Sequence, residues 1–144
     1  MFTIRKSNTK EENDRILELR YKILRAPWNQ PIDTATDERE ESSINAYIKN
    51  ENGEIIACGR LQENENKIGQ IRFMAVDNRY QGKGLGKLIV DFLEEEAKVT
   101  GLQRIELEAR ENAVKFYERC GYRVKEKTFL LWGIIQHYRM EKKI

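Results

Sequence analysis

Three alternate glycines stand in Arg79-Tyr80-Gln81-Gly82-Lys83-Gly84-Leu85-Gly86-Lys87, between an apolar strand-like run and an amphipathic helix-like run. The chemistry such a turn offers is anion binding. Glycine, lacking Cβ, lets backbone N–H groups approach a ligand and takes up dihedrals closed to other residues. The start of a helix adds unpaired donors and the positive end of its dipole, and Lys83 and Lys87 add charge. A phosphate group suits that combination. Spacing excludes two familiar phosphate loops. Gly82 and Gly86 enclose three residues and Leu88 follows Lys87, whereas a Walker loop needs a longer spacer and ends in Gly-Lys-Ser/Thr. A dinucleotide fingerprint requires its third glycine where Lys87 stands.

Acid–base chemistry has fewer candidates. In Arg104-Ile105-Glu106-Leu107-Glu108-Ala109 the two carboxylates lie opposite the apolar side of an alternating strand. Glu108, nearer the strand end, is the first choice for taking a proton from an ammonium, directly or through water, and Glu106 the second. His137, the one histidine, has the intrinsic pKa of a base, and a structural role stands beside that reading. Cys58 and Cys120 are far apart in sequence with only His137 to join them, so neither a disulfide framework nor a metal site is indicated. Neither cysteine has a histidine within local reach, which argues against an acyl-cysteine route.

Following a strand, Gln81-Gly82-Lys83-Gly84-Leu85-Gly86 resembles the pyrophosphate loop of the GNAT N-acetyltransferase superfamily. Ala113-Val114-Lys115-Phe116-Tyr117-Glu118-Arg119-Cys120-Gly121-Tyr122 resembles that family's Ala-x-x-Phe-Tyr-x-x-x-Gly-Phe/Tyr signature, at the expected distance downstream. Together the motifs cover Ile71 to Tyr122, roughly a third of the chain. The resemblance implies an α/β (α+β mixed) fold in a single domain, residues 1–144. Its sheet is mostly antiparallel, with a central parallel pair ending at Val76 and Ala109 and splayed into a V-shaped cleft.

The same resemblance implies acetyl-CoA as cosubstrate and no metal. The backbone of Met74, Ala75 and Val76 would pair with the pantetheine arm as an added strand, and a donor there would polarise the thioester carbonyl. N–H groups from Gln81, Gly82, Lys83, Gly84, Leu85 and Gly86, together with Lys87, would hold the pyrophosphate. Tyr117 matches the family tyrosine assigned as general acid to the departing thiolate, a role open to a phenol because its pKa exceeds a thiol's. It also reads as a core aromatic, with Phe116 packed beside it at the cofactor. Arg110 stands where many members carry asparagine. It would bind a phosphate or the acceptor instead, with Asn112 as a neighbouring polar contact. Ala109-Arg110 and His137 echo a small bacterial subgroup of the family.

The elements that must position these residues are legible in order. Phe2 to Lys6 alternates as a short strand, and Thr9 to Glu12 forms a capping box for a helix to about Leu24. Arg20 and Arg25, five apart, would point in different directions on a regular helix, solvated or paired with the acidic stretch Asp37-Glu38-Arg39-Glu40-Glu41. That acidic stretch reads as a solvated face or as a lure for a cationic amine. Pro27 and Pro31 end the helix in an irregular loop where Trp28 lines a pocket or plugs the core edge. Ile44 to Lys49 and Glu54 to Leu61 pair through Asn50-Glu51-Asn52-Gly53, and a second polar turn leads to the strand Ile71 to Val76. After the glycine loop, Leu85, Leu88, Ile89, Phe92, Leu93 and Ala97 form one helical face, with Glu94 on the polar side and Gly101 as the stop. A crossover to Arg104–Ala109 follows, then a short helix from Asn112 to Arg119 and a closing pair of strands, Tyr122 to Lys127 and Gln136 to Glu141, around the apolar run Phe129 to Ile135.

Apolar residues make up 40% of the 144 and charged residues 35%, which predicts a modest core under a charged surface. A formal charge of +2 is too slight to imply a nucleic-acid partner by itself, and none is expected. The N-terminal residues lack a signal-peptide apolar region and no run is long enough to span a membrane, so a cytoplasmic protein is expected. The reading is therefore an N-acetyltransferase that moves the acetyl group of acetyl-CoA to a primary amine, small-molecule or peptide, by direct attack in a ternary complex. A noncatalytic acyl-CoA sensor is the alternative. A nucleic-acid module using Arg79, Lys83 and Lys87 ranks lower, because its basic residues are interspersed with acids. Phe129 to Trp132 would mediate a homodimer if that run faces outward.

Overall fold

Period-two alternation in Ile68–Val76 and Arg104–Arg110 buries every second side chain of two strands that lie side by side. The computed structural model describes residues 2–144. Its strands are β1 (Thr3–Lys6), β2 (Ile44–Lys49), β3 (Ile55–Glu63), β4 (Ile68–Val76), β5 (Arg104–Arg110), β6 (Arg123–Leu131) and β7 (Ile135–Lys143). They form one seven-stranded sheet in the order β1-β2-β3-β4-β5-β7-β6. Only β4 and β5 pair in parallel, so the mixed, mostly antiparallel sheet expected from the motifs is present.

The parallel pair comes apart halfway along. Its register runs from Ile68↔Arg104 to Ile71↔Leu107 and stops, although β4 continues to Val76 and β5 to Arg110. A bulge bends β4 at this point: the register against β3 passes from Arg60↔Arg72 to Cys58↔Ala75, which leaves an extra residue on β4, and Phe73 takes φ 55°. Opposite the bulge, a Cβ on Gly59 would meet Met74 Sδ at 2.5 Å and Ile89 Cγ2 at 2.7 Å, so only glycine fits there.

Helices cover both faces of the sheet. Helix α1 (Lys10–Arg20), opened by the Thr9/Glu12 capping box, buries Ile16 and Leu19 against Tyr47, Cys58 and Ala75 on one face. Helix α2 (Leu85–Val99) and the short α3 (Val114–Arg119) pack on the main core on the other. Strand β3, covered on both sides, is buried at every position from Ile55 to Gln62. The face of α2 differs from expectation at two positions. Leu88 is 40% exposed, while Val90 is buried. Glu94, expected on the polar side, is buried because it accepts hydrogen bonds from Tyr122 Oη at 2.9 Å and Lys142 Nζ at 2.9 Å.

The end of the first helix also departs from the reading. Its α-helical part stops at Arg20, and a π-helical turn, Tyr21–Arg25, carries the chain on. A π turn returns to the same side after five residues rather than four, so Arg20 and Arg25 both lie over the Phe73 ring, at 4.7 and 5.7 Å. Of the two alternatives for Arg20, solvated or paired with the acidic stretch, the second holds, through Glu40. Arg20 is 1% exposed and held by Glu40, Asn45 Oδ1 and the Ala35 carbonyl. The acidic stretch is likewise no free face: Asp37 grips Arg60 through two hydrogen bonds of 2.8 and 2.9 Å and Arg72 through a third of 2.9 Å. The apolar run Phe129 to Ile135 turns out to be a hairpin tip, with Leu130 and Ile134 exposed and the turn at Trp132 and Gly133.

Candidate active site

The gap between β4 and β5 opens into a cleft of about 960 Å³. One wall is the end of β4, where Met74, Ala75 and Val76 line the space and no residue of β5 pairs with them. The glycine loop forms the floor. Asp77 begins it, its carboxylate accepting from the Arg79 backbone N–H at 2.9 Å and from Arg79 Nε at 3.1 Å. Gln81 Nε2 ties the loop back to the Val76 carbonyl at 3.2 Å. Gly82 and Gly84 take φ 79° and 80°. In this conformation none of the backbone N–H groups from Gln81 to Lys87 donates to an acceptor among the described residues. A run of unsatisfied donors ahead of a helix start is a site for an anion.

Gln81, Gly82, Gly84, Leu85, Gly86 and Lys87 line this cleft, and Lys83 stands outside its wall at the exposed tip. Lys87 Nζ is occupied by Asp91 at 2.8 Å. Arg79 is paired with Asp77 and Glu54.

The far wall comes from α3 and the end of β5, and it brings Arg110, Asn112, Phe116 and Tyr117 to the same space. Tyr117 is buried, its ring edge-on to Phe116 at 4.9 Å and to Tyr122 at 6.0 Å. Burial, with the Cys120 thiol beside it, holds its phenol well above the usual range. Its hydroxyl has no hydrogen-bond partner among the described residues.

A second cavity of about 390 Å³ adjoins the first, and Leu24, Met74, Arg110, Ala113 and Tyr117 border both. Glu108 lies here rather than in the main cleft. Burial pushes its carboxyl up, opposed by Arg139 at 3.6 Å, and Oε2 is buried without a partner. Glu106 lines neither space. His137 borders the second cavity, stacked on Phe129 at 4.4 Å, its Nδ1 within 3.0 Å of the Ile135 carbonyl. Burial lowers its pKa, and Arg110 and Arg25 add to the effect. Sequence reasoning missed Arg25, Arg72 and Phe73 on this cavity, because the π turn and the β4 bulge that aim them leave no periodic trace. Trp28 lines the main cleft, with the Arg110 guanidinium over its ring at 4.6 Å.

A sheet split along its parallel pair, with a loop of free amides below the split, defines an acyl-CoA-type transferase architecture. Residues 13–122 match the Acetyltransferase (GNAT) family, and the chain belongs to it. It is 30% identical over 119 residues to the glucosamine 6-phosphate N-acetyltransferase of Arabidopsis thaliana, covering 83% of this chain and 74% of that one. With glucosamine 6-phosphate N-acetyltransferase 1 of Dictyostelium discoideum it shares 39% identity over 77 residues, about half of either chain (49% and 49%). Its fold superimposes on an aminoglycoside 6'-N-acetyltransferase complexed with coenzyme A with TM-score 0.79 at 17% identity, covering 99% and 96% of the two chains. The family assignment makes this protein an acetyl-CoA-dependent N-acetyltransferase.

Proposed function

We propose that residues 1–144 act as one catalytic domain that transfers the acetyl group of acetyl-CoA directly to a primary amine while both are bound. The observation that carries this reading is the row of unpartnered N–H groups from Gln81 to Lys87 beside the free edge of β4. The diphosphate of the cosubstrate matches the loop, and the pantetheine amides match Met74, Ala75 and Val76 on the side of β4 that β5 leaves without a partner strand. Residues at hand also fit the remaining needs: Asn112 and Phe116 line the cleft, and Gly86 lets Phe116 close against the loop.

In this reading a backbone N–H of the β4 bulge polarises the thioester carbonyl. The amine nitrogen forms a bond to the carbonyl carbon, the C–S bond breaks, and Tyr117 gives its phenolic proton to the sulfur that leaves. The proton lost by the amine passes to Glu108, directly or through water, with His137 as the other titratable group on that cavity. Tyr117 is among the residues that border both cavities, so donor and acceptor can reach one side chain from the two spaces. Holding the two reactants together supplies most of the acceleration.

Thiol release from acetyl-CoA across a panel of amines, beside Tyr117→Phe, tests the proposal. Intersecting lines in double-reciprocal plots are expected for a ternary complex. Parallel lines with a trapped acetyl-enzyme would refute direct transfer.

A further inference from the structure

The arginines around Phe73 are not evenly matched by carboxylates. Four guanidinium groups lie within 4.7 to 5.7 Å of that ring, those of Arg20, Arg25, Arg60 and Arg72. Asp37 and Glu40 serve three of them: Arg20 pairs with Glu40, Arg60 with both, and Arg72 with Asp37. Arg25 has no carboxylate partner among the described residues; its Nε donates to the Thr34 carbonyl at 3.0 Å and a terminal nitrogen to the Leu24 carbonyl at 3.0 Å. Arg110 donates to that same Leu24 carbonyl at 3.0 Å, again with no carboxylate partner among the described residues.

Two cations thus converge on one neutral oxygen. Like charges brought to one acceptor and partly withdrawn from water are costly unless an anion joins them. Burial, with the neighbouring Arg110, Arg72 and Arg20, lowers the Arg25 guanidinium to about 10, so it stays charged at neutral pH. Aromatic faces hold the pair in place. Arg110 lies over Trp28 at 4.6 Å, Arg25 over Trp132 at 5.3 Å, and the two indoles are 6.2 Å apart.

Both guanidinia border the second cavity, whose opposite charge is Glu108. Glu108 and Arg110 lie on the same face of β5, two positions or about 7 Å apart along the strand. A cavity with two cations that lack a carboxylate partner and, a short step away, a carboxylate whose Oε2 is unpartnered while Arg139 stands 3.6 Å from its other oxygen is complementary to a molecule bearing an anion and an ammonium.

Resting on the acetyl-transfer reading above, we propose that the acceptor is an amine that also carries an anionic group, a carboxylate or a phosphate, clamped between Arg25 and Arg110. The clamp places the amine toward Glu108 and Tyr117. It also answers what Arg110 does in place of the asparagine: it serves the acceptor rather than the cosubstrate.

Matched pairs test this: glucosamine against glucosamine 6-phosphate, and pentane-1,5-diamine against lysine, at saturating acetyl-CoA. The anionic member of at least one pair is expected to win by about tenfold or more in kcat/KM, and the pair that shows it tells phosphate from carboxylate. Arg25→Gln and Arg110→Gln should each abolish the preference by raising KM for the anionic member, with KM for acetyl-CoA unmoved. Two separate variants guard against one failing to fold, and CoA binding by each checks that it has. Preference for the neutral or cationic member in both pairs would overturn the proposal. So would a rise in acetyl-CoA KM that is the same for every acceptor, which would assign the guanidinia to the cosubstrate's phosphates. Calorimetric binding of the same pairs to CoA-saturated protein reads the preference without turnover. A protein that binds the anionic member and transfers nothing would sink the transferase mechanism and leave the anion clamp standing.

Discussion

Gly86 and Phe116 are in direct contact: a Cβ on the glycine would lie 3.0 Å from Cζ of the ring. The last glycine of the loop therefore sets how near α3, and with it Tyr117, can stand to the anion site. Gly86→Ala should push the ring away by a few tenths of an ångström and raise KM for acetyl-CoA severalfold with a small change in melting temperature. Gly84→Ala acts differently. There is open space around it, but φ is 80°, so the cost is backbone strain of about 1–2 kcal/mol with the loop amides re-aimed. Steady-state kinetics and thermal melts on the two variants separate the effects.

Tyr117→Phe should lower kcat by about 10²-fold or more, within the span assigned to general acid catalysis, and leave KM for acetyl-CoA near its original value. Stability should not fall, because the hydroxyl that is removed has no hydrogen-bond partner to orphan. Lower stability together with normal kcat would make the residue a core aromatic only.

For the base, pH is the probe. Burial raises the Glu108 carboxyl, so activity that needs its ionised form should rise with pH through a midpoint shifted upward from that of a free glutamate. Arg139, 3.6 Å away, opposes that rise. Arg139→Gln should therefore move the acidic limb of kcat/KM to higher pH, and Glu108→Gln should remove the limb. An unmoved limb in both variants would assign it to another group.

Arg60 is fully buried among Asp37, Glu40 and Gln62. Arg60→Met should destabilise the fold by about 1.5–3 kcal/mol, because Asp37 and Glu40 each lose one of two guanidinium partners and keep only Arg72 and Arg20. Acid should do the same by a different route. The hydrogen bond from Arg60 lowers the Asp37 carboxyl, and although burial works against Glu40, the hydrogen bond and charge of Arg20 hold it at about 2. Both folded values lie below the unfolded ones. The stability they contribute is thus complete above the ordinary carboxylate pKa of about 4 and is lost as pH falls from there toward about 2. Urea melts between neutral pH and pH 2 measure the loss.

The glycine loop, α2 and the Phe116-Tyr117 segment were legible because each is local: φ above zero at Gly82 and Gly84, a helical period, and a motif on one short helix. The alternation of Ile105, Leu107 and Ala109 likewise placed Glu106 and Glu108 on one face of β5; Arg110 joins that face only because the strand runs one residue further than expected. What stayed hidden depends on irregularity. An extra residue in the turn after α1 swings Arg25 toward Phe73, and an extra residue in β4 turns Phe73 under the arginines; neither insertion alters the spacing of apolar residues enough to be read. Glu94 was misplaced for a third reason, since its partners Tyr122 and Lys142 come from distant parts of the chain.

The parting of β4 from β5 at Ile71 and Leu107 has a mechanical consequence. Two raw margins, of the kind that proteins normally keep at their periphery, run through the middle of this one. A ligand that zips them together does more than occupy a slot: it becomes a seam, and the filled enzyme should resist heat and proteolysis better than the empty one in proportion to the logarithm of CoA supplied.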